Sequence, residues 1–131
     1  MLGIDYGSAR IGVAIADPLG LTAQPYQLIL NTPNAVRELV AIIEKETITE
    51  CVIGLPKDQF GNDSKIAAEI RTFVLALETA CSVKITLVDE RFSSQAARRQ
   101  LHSMGIKTKN QKSHIDMQAA MFILQGVLDA R

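Results

Sequence analysis

The sequence predicts a mixed α/β domain: five strands in one sheet, an antiparallel three-stranded hairpin ribbon continued by two parallel strands, flanked by helices. Three observations predict it. Short apolar runs at 2–4, 11–16 and 24–30 follow one another with only turn residues between them, the pattern of consecutive hairpins. Two more apolar runs, 51–54 and 84–88, each follow a stretch of helical period, which suits parallel strands joined by helical crossovers. The stretch 115–130 is apolar on most sides and reads as a helix lying deep against the sheet. Together these give a mixed sheet rather than a purely parallel one.

The first run ends in a carboxylate, Asp5, followed by a glycine turn, Gly7-Ser8; the second closes with Asp17-Pro18-Leu19-Gly20. Pro25 sits near the start of the third strand, where a missing N–H is tolerated. Thr32 and Pro33 read as the N-cap and first residue of a helix whose apolar face is Val36, Leu39, Val40 and Ile43. The fourth strand stops at Leu55-Pro56. A polar loop, 57–63, then leads to a second amphipathic helix with Ile66, Ile70, Phe73, Val74 and Leu77 inward. The fifth strand ends in Asp89-Glu90-Arg91. Ser93 can cap a third helix bearing Ala97, Leu101 and Met104, with Gly105 just past its end. Residues 107–113 have no hydrophobic period and are expected to form a mobile loop before the last helix.

A chain of 131 residues makes one domain, 1–131, able to bury roughly two-thirds of its unfolded surface. Cys51 and Cys81 lack metal-ligand spacing and read as buried, reduced thiols of a cytoplasmic protein. Neither a signal peptide nor a membrane span is expected. Fourteen basic residues balance fourteen acidic ones, which argues against gripping nucleic acid by bulk charge. The distribution is uneven: Arg91, Arg98, Arg99, Lys107, Lys109 and Lys112 fall in 91–115, which holds no acid. That stretch makes either a local basic surface or a solvated helix face and loop.

Three sets of acids stand where an element ends or begins: Asp5, the pair Asp89 and Glu90, and Asp116. In parallel α/β arrangements, sites form at the C-terminal ends of strands. Hard cations such as Mg²⁺ take carboxylate oxygens, and a pair of them can activate water against a phosphodiester. Each acid also has a plain structural reading. Asp5 can initiate a turn, Asp89 and Glu90 can pair with Arg91, and Ser113-x-x-Asp116 fits a capping box. No zinc set, nucleophilic triad, Rossmann spacing or P-loop is present.

At these residues the chain resembles a known family. Ile4-Asp5-Tyr6-Gly7-Ser8-x-Arg10, Asp17-Pro-Leu-Gly20, Gly54-Leu-Pro56, Val88-Asp-Glu-Arg91-Phe-Ser-Ser94 and Ile115-Asp116-x-x-Ala-Ala resemble, in order, the blocks of the YqgF (RuvX) family. The resemblance implies an RNase H-like fold in a bacterial cytoplasmic protein. It implies a nuclease that processes the 5′ end of precursor 16S ribosomal RNA, or a Holliday junction resolvase akin to RuvC. Carried over by position, Asp5, Glu90 and Asp116 match the family's acids, with Asp89 beside them. The acid that RNase H-like nucleases often carry on strand four is absent, since Gly54-Leu55-Pro56 stands there.

The resulting expectation is a metal-dependent endonuclease using Mg²⁺ or Mn²⁺ held by Asp5, Asp89, Glu90 and Asp116. Arg10 and the Gly7–Ser8 backbone would meet a phosphate, and Arg91 would brace the acids or touch substrate. Lys107, Lys109 and Lys112 would clamp the nucleic acid backbone. The expected partners are an rRNA precursor or branched DNA and, with them, ribosomal proteins, for a monomer or weak homodimer. A non-catalytic nucleic-acid-binding assembly factor is the alternative from another class. An actin-like nucleotide-binding reading of Gly3-Ile-Asp5-x-Gly7 would need two such domains.

Overall fold

A computed structural model describes residues 1–56, 65–89 and 108–131, without the side chains of 108–116. The strands are β1 (Leu2–Tyr6), β2 (Arg10–Ala16), β3 (Ala23–Leu30), β4 (Glu50–Leu55) and β5 (Lys84–Asp89). They form one sheet in the order β3-β2-β1-β4-β5. The β1–β2 and β2–β3 pairs are antiparallel, whereas β4 runs parallel to both β1 and β5. The expected ribbon with two added parallel strands is therefore what forms. Opposite Val13 and Ala14 the register slips by one residue, beside Pro25, which cannot donate to the ladder. The extra residue, Tyr26, donates its hydroxyl hydrogen to Glu46 Oε2 at 2.9 Å.

Three helices are described: α1 (Ala35–Lys45), α2 (Ala67–Ala80) and α3 (Thr108–Asp129). The strand pleat sorts the apolar residues to two faces. Leu2, Ile4, Ile11, Val13 and Ile53 bury against Leu39 of α1 and Ile70 and Leu77 of α2. Ala14 and Ala23 bury on the other face, against Ala120 and Leu124 of α3. Both faces are thus covered, and α3 needs an apolar stripe only along the part that lies on the sheet. Among the described residues no helix is long and apolar enough to cross a membrane.

Two helix starts differ from expectation. Helix α1 begins at Ala35, with Asn34 rather than Thr32 at its cap position. Thr32 is engaged in a turn instead: its Oγ1 accepts from the Asn34 N–H and its carbonyl from the Ala35 N–H. Helix α3 begins at Thr108, so residues 108–113, expected as a mobile loop, are helical. Lys, Gln and Asn are tolerated in helices, so a stretch without an apolar period can still be helical. The expected loop at 57–63 and the helix expected from Ser93 to Met104 lie outside the described residues.

Candidate active site at the C-terminal end of the first strand

The direction of α3 decides what can meet what. Gln125 of α3 accepts from the Ala23 N–H through Oε1 at 2.9 Å, and Ala23 is in register with Ala16 of β2. Met1 and Ala16 mark the end where β1 begins, since the Ala16 N–H donates to the Met1 carbonyl at 3.0 Å. The C-terminal half of α3 thus lies over the start of β1, and the helix runs antiparallel to that strand. Its N-terminal half lies toward the end of β1 that carries Asp5. From Ala120 back to Thr108 a straight helix covers roughly 18 Å. From Gly3 to Tyr6 the strand covers only about 10 Å. The first turns of α3, with Lys109 and Lys112, therefore overhang the sheet.

Asp5 is half-buried on β1, in register with Gly12 of β2. By the pleat it shares the α3 face with Gly3, whose register partner is Ala14. Gly12 puts no side chain beside the carboxylate. Tyr6, next in the strand, faces the other way and packs on Phe73 of α2, the rings tilted by 53° with centroids 5.1 Å apart. That contact ties the end of β1 to the far layer.

The turn after Asp5 is tight and tethered. A Cβ at Gly7 would stand 2.5 Å from the Arg10 carbonyl oxygen, so only glycine fits without movement. Asn31, just past β3, donates from Nδ2 to the Gly7 carbonyl at 2.8 Å and from its backbone N–H to the Ala9 carbonyl at 3.0 Å. Gly7, exposed Ser8 and Arg10, the expected phosphate contacts, are thereby gathered beside Asp5. Asn31 was not singled out from sequence; an asparagine after a strand is too common to be a signal.

Asp116 lies one turn before Ala120, inside α3 rather than at its start. A capping box from Ser113 does not form, because the helix begins at Thr108. Asp89 ends β5, in register with Leu55, which belongs to the core under α1 and α2. By pleat it shares the face of Ile85 and Leu87, opposite to that of Asp5. It also lies two strand spacings from β1, roughly 9.5 Å. Among the described residues no three His, Cys, Asp or Glu side chains assemble into a metal site. Glu90, Arg91 and Lys107 lie outside the described residues.

The other end of the sheet is built for stability. The Asp17 Oδ1 accepts from the Leu21 N–H at 2.9 Å, and Gly20 takes φ 70° to close the Asp17–Gly20 turn. The Leu21 hydrogen bond holds the Asp17 carboxyl below its ordinary range. Arg131 grips both carboxylate oxygens of Glu50 at 2.8 Å, and Thr86 Oγ1 donates to Oε2 of the same group at 3.2 Å. The Arg131 contact lowers the Glu50 pKa.

The sequence profile of the family described as "RuvX: Holliday junction resolvase" matches residues 1–130. A protein of Lachnospira eligens, named "Putative pre-16S rRNA nuclease", is 35% identical, covering 100% of this chain and 97% of its own. One of Maridesulfovibrio salexigens with the same name is 39% identical, covering 95% and 94%. Among solved structures, Thermus thermophilus RuvC bound to a Holliday junction superposes with TM-score 0.59 at 16% identity, covering 99% of this chain and 93% of that one. The Fowlpox virus resolvase with Holliday junction DNA gives 0.56 at 11% identity, covering 99% and 98%. The likeness to these structures is one of fold, the RNase H-like arrangement expected from the motifs.

Proposed function

We propose a nuclease mechanism on one premise: this chain belongs to the RuvX family. The reading is a metal-dependent endonuclease that hydrolyses phosphodiester bonds of structured RNA, processing the 5′ end of precursor 16S rRNA in the cytoplasm. The observation that carries it is the convergence at one end of the sheet. Asp5 and the adjoining Gly7–Arg10 turn, tethered by Asn31, stand at the end of the sheet toward which the N-terminal half of α3, the helix of Asp116, extends.

The donor chemistry fits a hard divalent cation, because Asp5 carries carboxylate oxygens and its register partner Gly12 adds no side chain. Asp5, Glu90 and Asp116 would hold Mg²⁺ or Mn²⁺. The pleat turns Asp89, the last residue of β5, to the face opposite Asp5, which counts against Asp89 as a ligand. Such an ion, when bound, supplies charge neutralisation at the phosphoryl oxygens and acidifies a water. The chain's own groups supply the rest. The exposed turn offers the N–H groups of Gly7 and Ser8 to a phosphate, and Arg10 adds charge beside it. Arg91 braces the acids or touches the substrate. Lys107, Lys109 and Lys112 would clamp the nucleic acid backbone, the last two from the overhanging first turns of α3. Since the chain is neutral overall, binding relies on this local charge and on ribosomal partners.

The family's description favours a second reading, Holliday junction resolution. Symmetric cleavage of a four-way junction needs two sites and hence a dimer. The test is end-labelled precursor 16S leader RNA beside a four-way DNA junction, each with Mg²⁺ or Mn²⁺. Metal-dependent cutting of the RNA alone supports the first reading. Cutting of the junction alone, by a dimer, overturns it in favour of the second. Binding without cutting of either assigns a non-catalytic assembly role.

A further inference from the structure

We propose that Gly3 is the spacer that sets how closely the helix of Asp116 approaches the strand of Asp5. The inference rests on the nuclease reading above and assigns a positioning residue to it.

Gly3 is buried in the middle of β1, where an alanine or a β-branched residue would give a stronger strand. The reason for glycine is on the far side of the contact. A Cβ at position 3 would stand 2.6 Å from Leu124 Cβ and 2.7 Å from the Ala120 backbone oxygen. Neither atom is the end of a flexible side chain, and both residues have 0% exposure. No rotamer change relieves the collision. Carbon atoms rest about 3.5–4.0 Å apart, so α3 itself would have to withdraw by about 1 Å.

That displacement falls where the site is built. Asp5 is two residues beyond Gly3, roughly 6.6 Å along the strand. Asp116 is one turn before Ala120, roughly 6 Å along the helix in the matching direction. A shift of α3 at the Gly3 contact therefore reaches Asp116 little diminished. Carboxylate oxygens bind Mg²⁺ at about 2.0–2.1 Å in near-ideal octahedral geometry, which does not stretch by 1 Å without losing a ligand. The close packing at Gly3 thus sets the distance between the backbone at Asp5 and the backbone at Asp116.

The test is Mn²⁺ binding, read from the loss of the free-ion electron paramagnetic resonance signal, on wild type, Gly3→Ala and Leu77→Ala. Leu77 is buried on the opposite face, under α2, and supplies a core defect away from α3. Thermal unfolding of each variant ranks the stability losses. Gly3→Ala is expected to bind Mn²⁺ about 10-fold or more weakly, as when a group orienting a ligand is lost. Its cleavage rate should recover toward wild type as Mn²⁺ is raised, whereas Leu77→Ala binds Mn²⁺ like wild type. Equal affinity in wild type and Gly3→Ala overturns the inference, and so does an equal loss in Leu77→Ala. If Gly3→Ala does not fold, Ala14→Ser, one atom larger at Gly3's register partner, carries the test. Weakened binding in that variant supports the spacer and unchanged binding overturns it. Absence of Mn²⁺ binding by wild type overturns the metal-dependent reading itself, a result distinct from an unaffected Gly3→Ala.

Discussion

Replacing Gly7 by alanine strikes the turn proposed to meet a phosphate. The new Cβ would lie 2.5 Å from the Arg10 carbonyl oxygen, about 1 Å inside van der Waals contact. One side of the turn must move, and Asn31 holds both, through the Gly7 carbonyl at 2.8 Å and the Ala9 carbonyl at 3.0 Å. Forcing an extra methyl into a packed site costs about 1–3 kcal/mol, and losing one of the Asn31 bonds adds about 0.5–1.5 kcal/mol. The expected destabilisation is about 2–4 kcal/mol, read from urea unfolding at constant m. Asn31→Ala alone leaves the Gly7 carbonyl without its side-chain donor and costs about 1–3 kcal/mol. The two losses share one turn, so the double variant should lose less than their sum. In cleavage assays on folded protein, Gly7→Ala should raise KM if, as proposed, the turn holds substrate in ground and transition states alike. Gly7→Ala within about 0.5 kcal/mol of wild type, the scatter of neutral surface changes, would refute the reasoning.

Three further outcomes follow from the same geometry. The Arg131 contact lowers the Glu50 pKa, so it contributes stability that is present above the unfolded pKa and lost as pH falls through the folded one. Arg131→Ala should accordingly lower the thermal midpoint at neutral pH and by much less at acid pH. Burial pushes the Cys51 thiol up to about 12, with Cys81 nearby adding to the shift. Stability from this group is complete below the unfolded thiol pKa and falls as pH rises toward 12, by at most about 1.4 kcal/mol per pH unit. Iodoacetamide at neutral pH should spare Cys51 until the protein unfolds, which peptide mass mapping reads directly. Lys109→Ala and Lys112→Ala, on the overhanging turns of α3, should each reduce the slope of log affinity against log salt by about 1. Filter binding of the precursor RNA at several salt concentrations measures that slope.

Most of the sheet was legible because its signals are local. Short apolar runs with turn residues between them mark the three-stranded ribbon, and the helical periods before β4 and β5 mark the crossovers. The starts of α1 and α3 were misplaced for opposite reasons. At α1 the cap signal of Thr32-Pro33 is real but is used by a turn two residues earlier. At α3 the apolar period begins only where the helix reaches the sheet, so the overhanging turns read as loop. Motifs located Asp5 and Asp116, but not the packing that relates them. That relation depends on the direction of α3, fixed by Gln125 at the far end of the fold, and on the missing Cβ at Gly3. Asn31 escaped notice for the same reason: its partner turn is 24 residues away. Pairing Asp89 with Glu90 was the natural reading of adjacent acids. Only the register of β5 against Leu55 separates Asp89 from the face of Asp5.

The most direct test of the account is single-turnover cleavage of the precursor 16S leader by Asp5→Asn, with RNA binding measured on the same samples. The substitution keeps shape and removes the charge, and loss of a group acting in the transition state typically costs about 10²–10⁴-fold in rate. The account predicts that cleavage falls by at least that factor in Mg²⁺ or Mn²⁺ while RNA affinity stays close to wild type. Cleavage at the wild-type rate by Asp5→Asn would contradict it and leave the carboxylate as a turn residue.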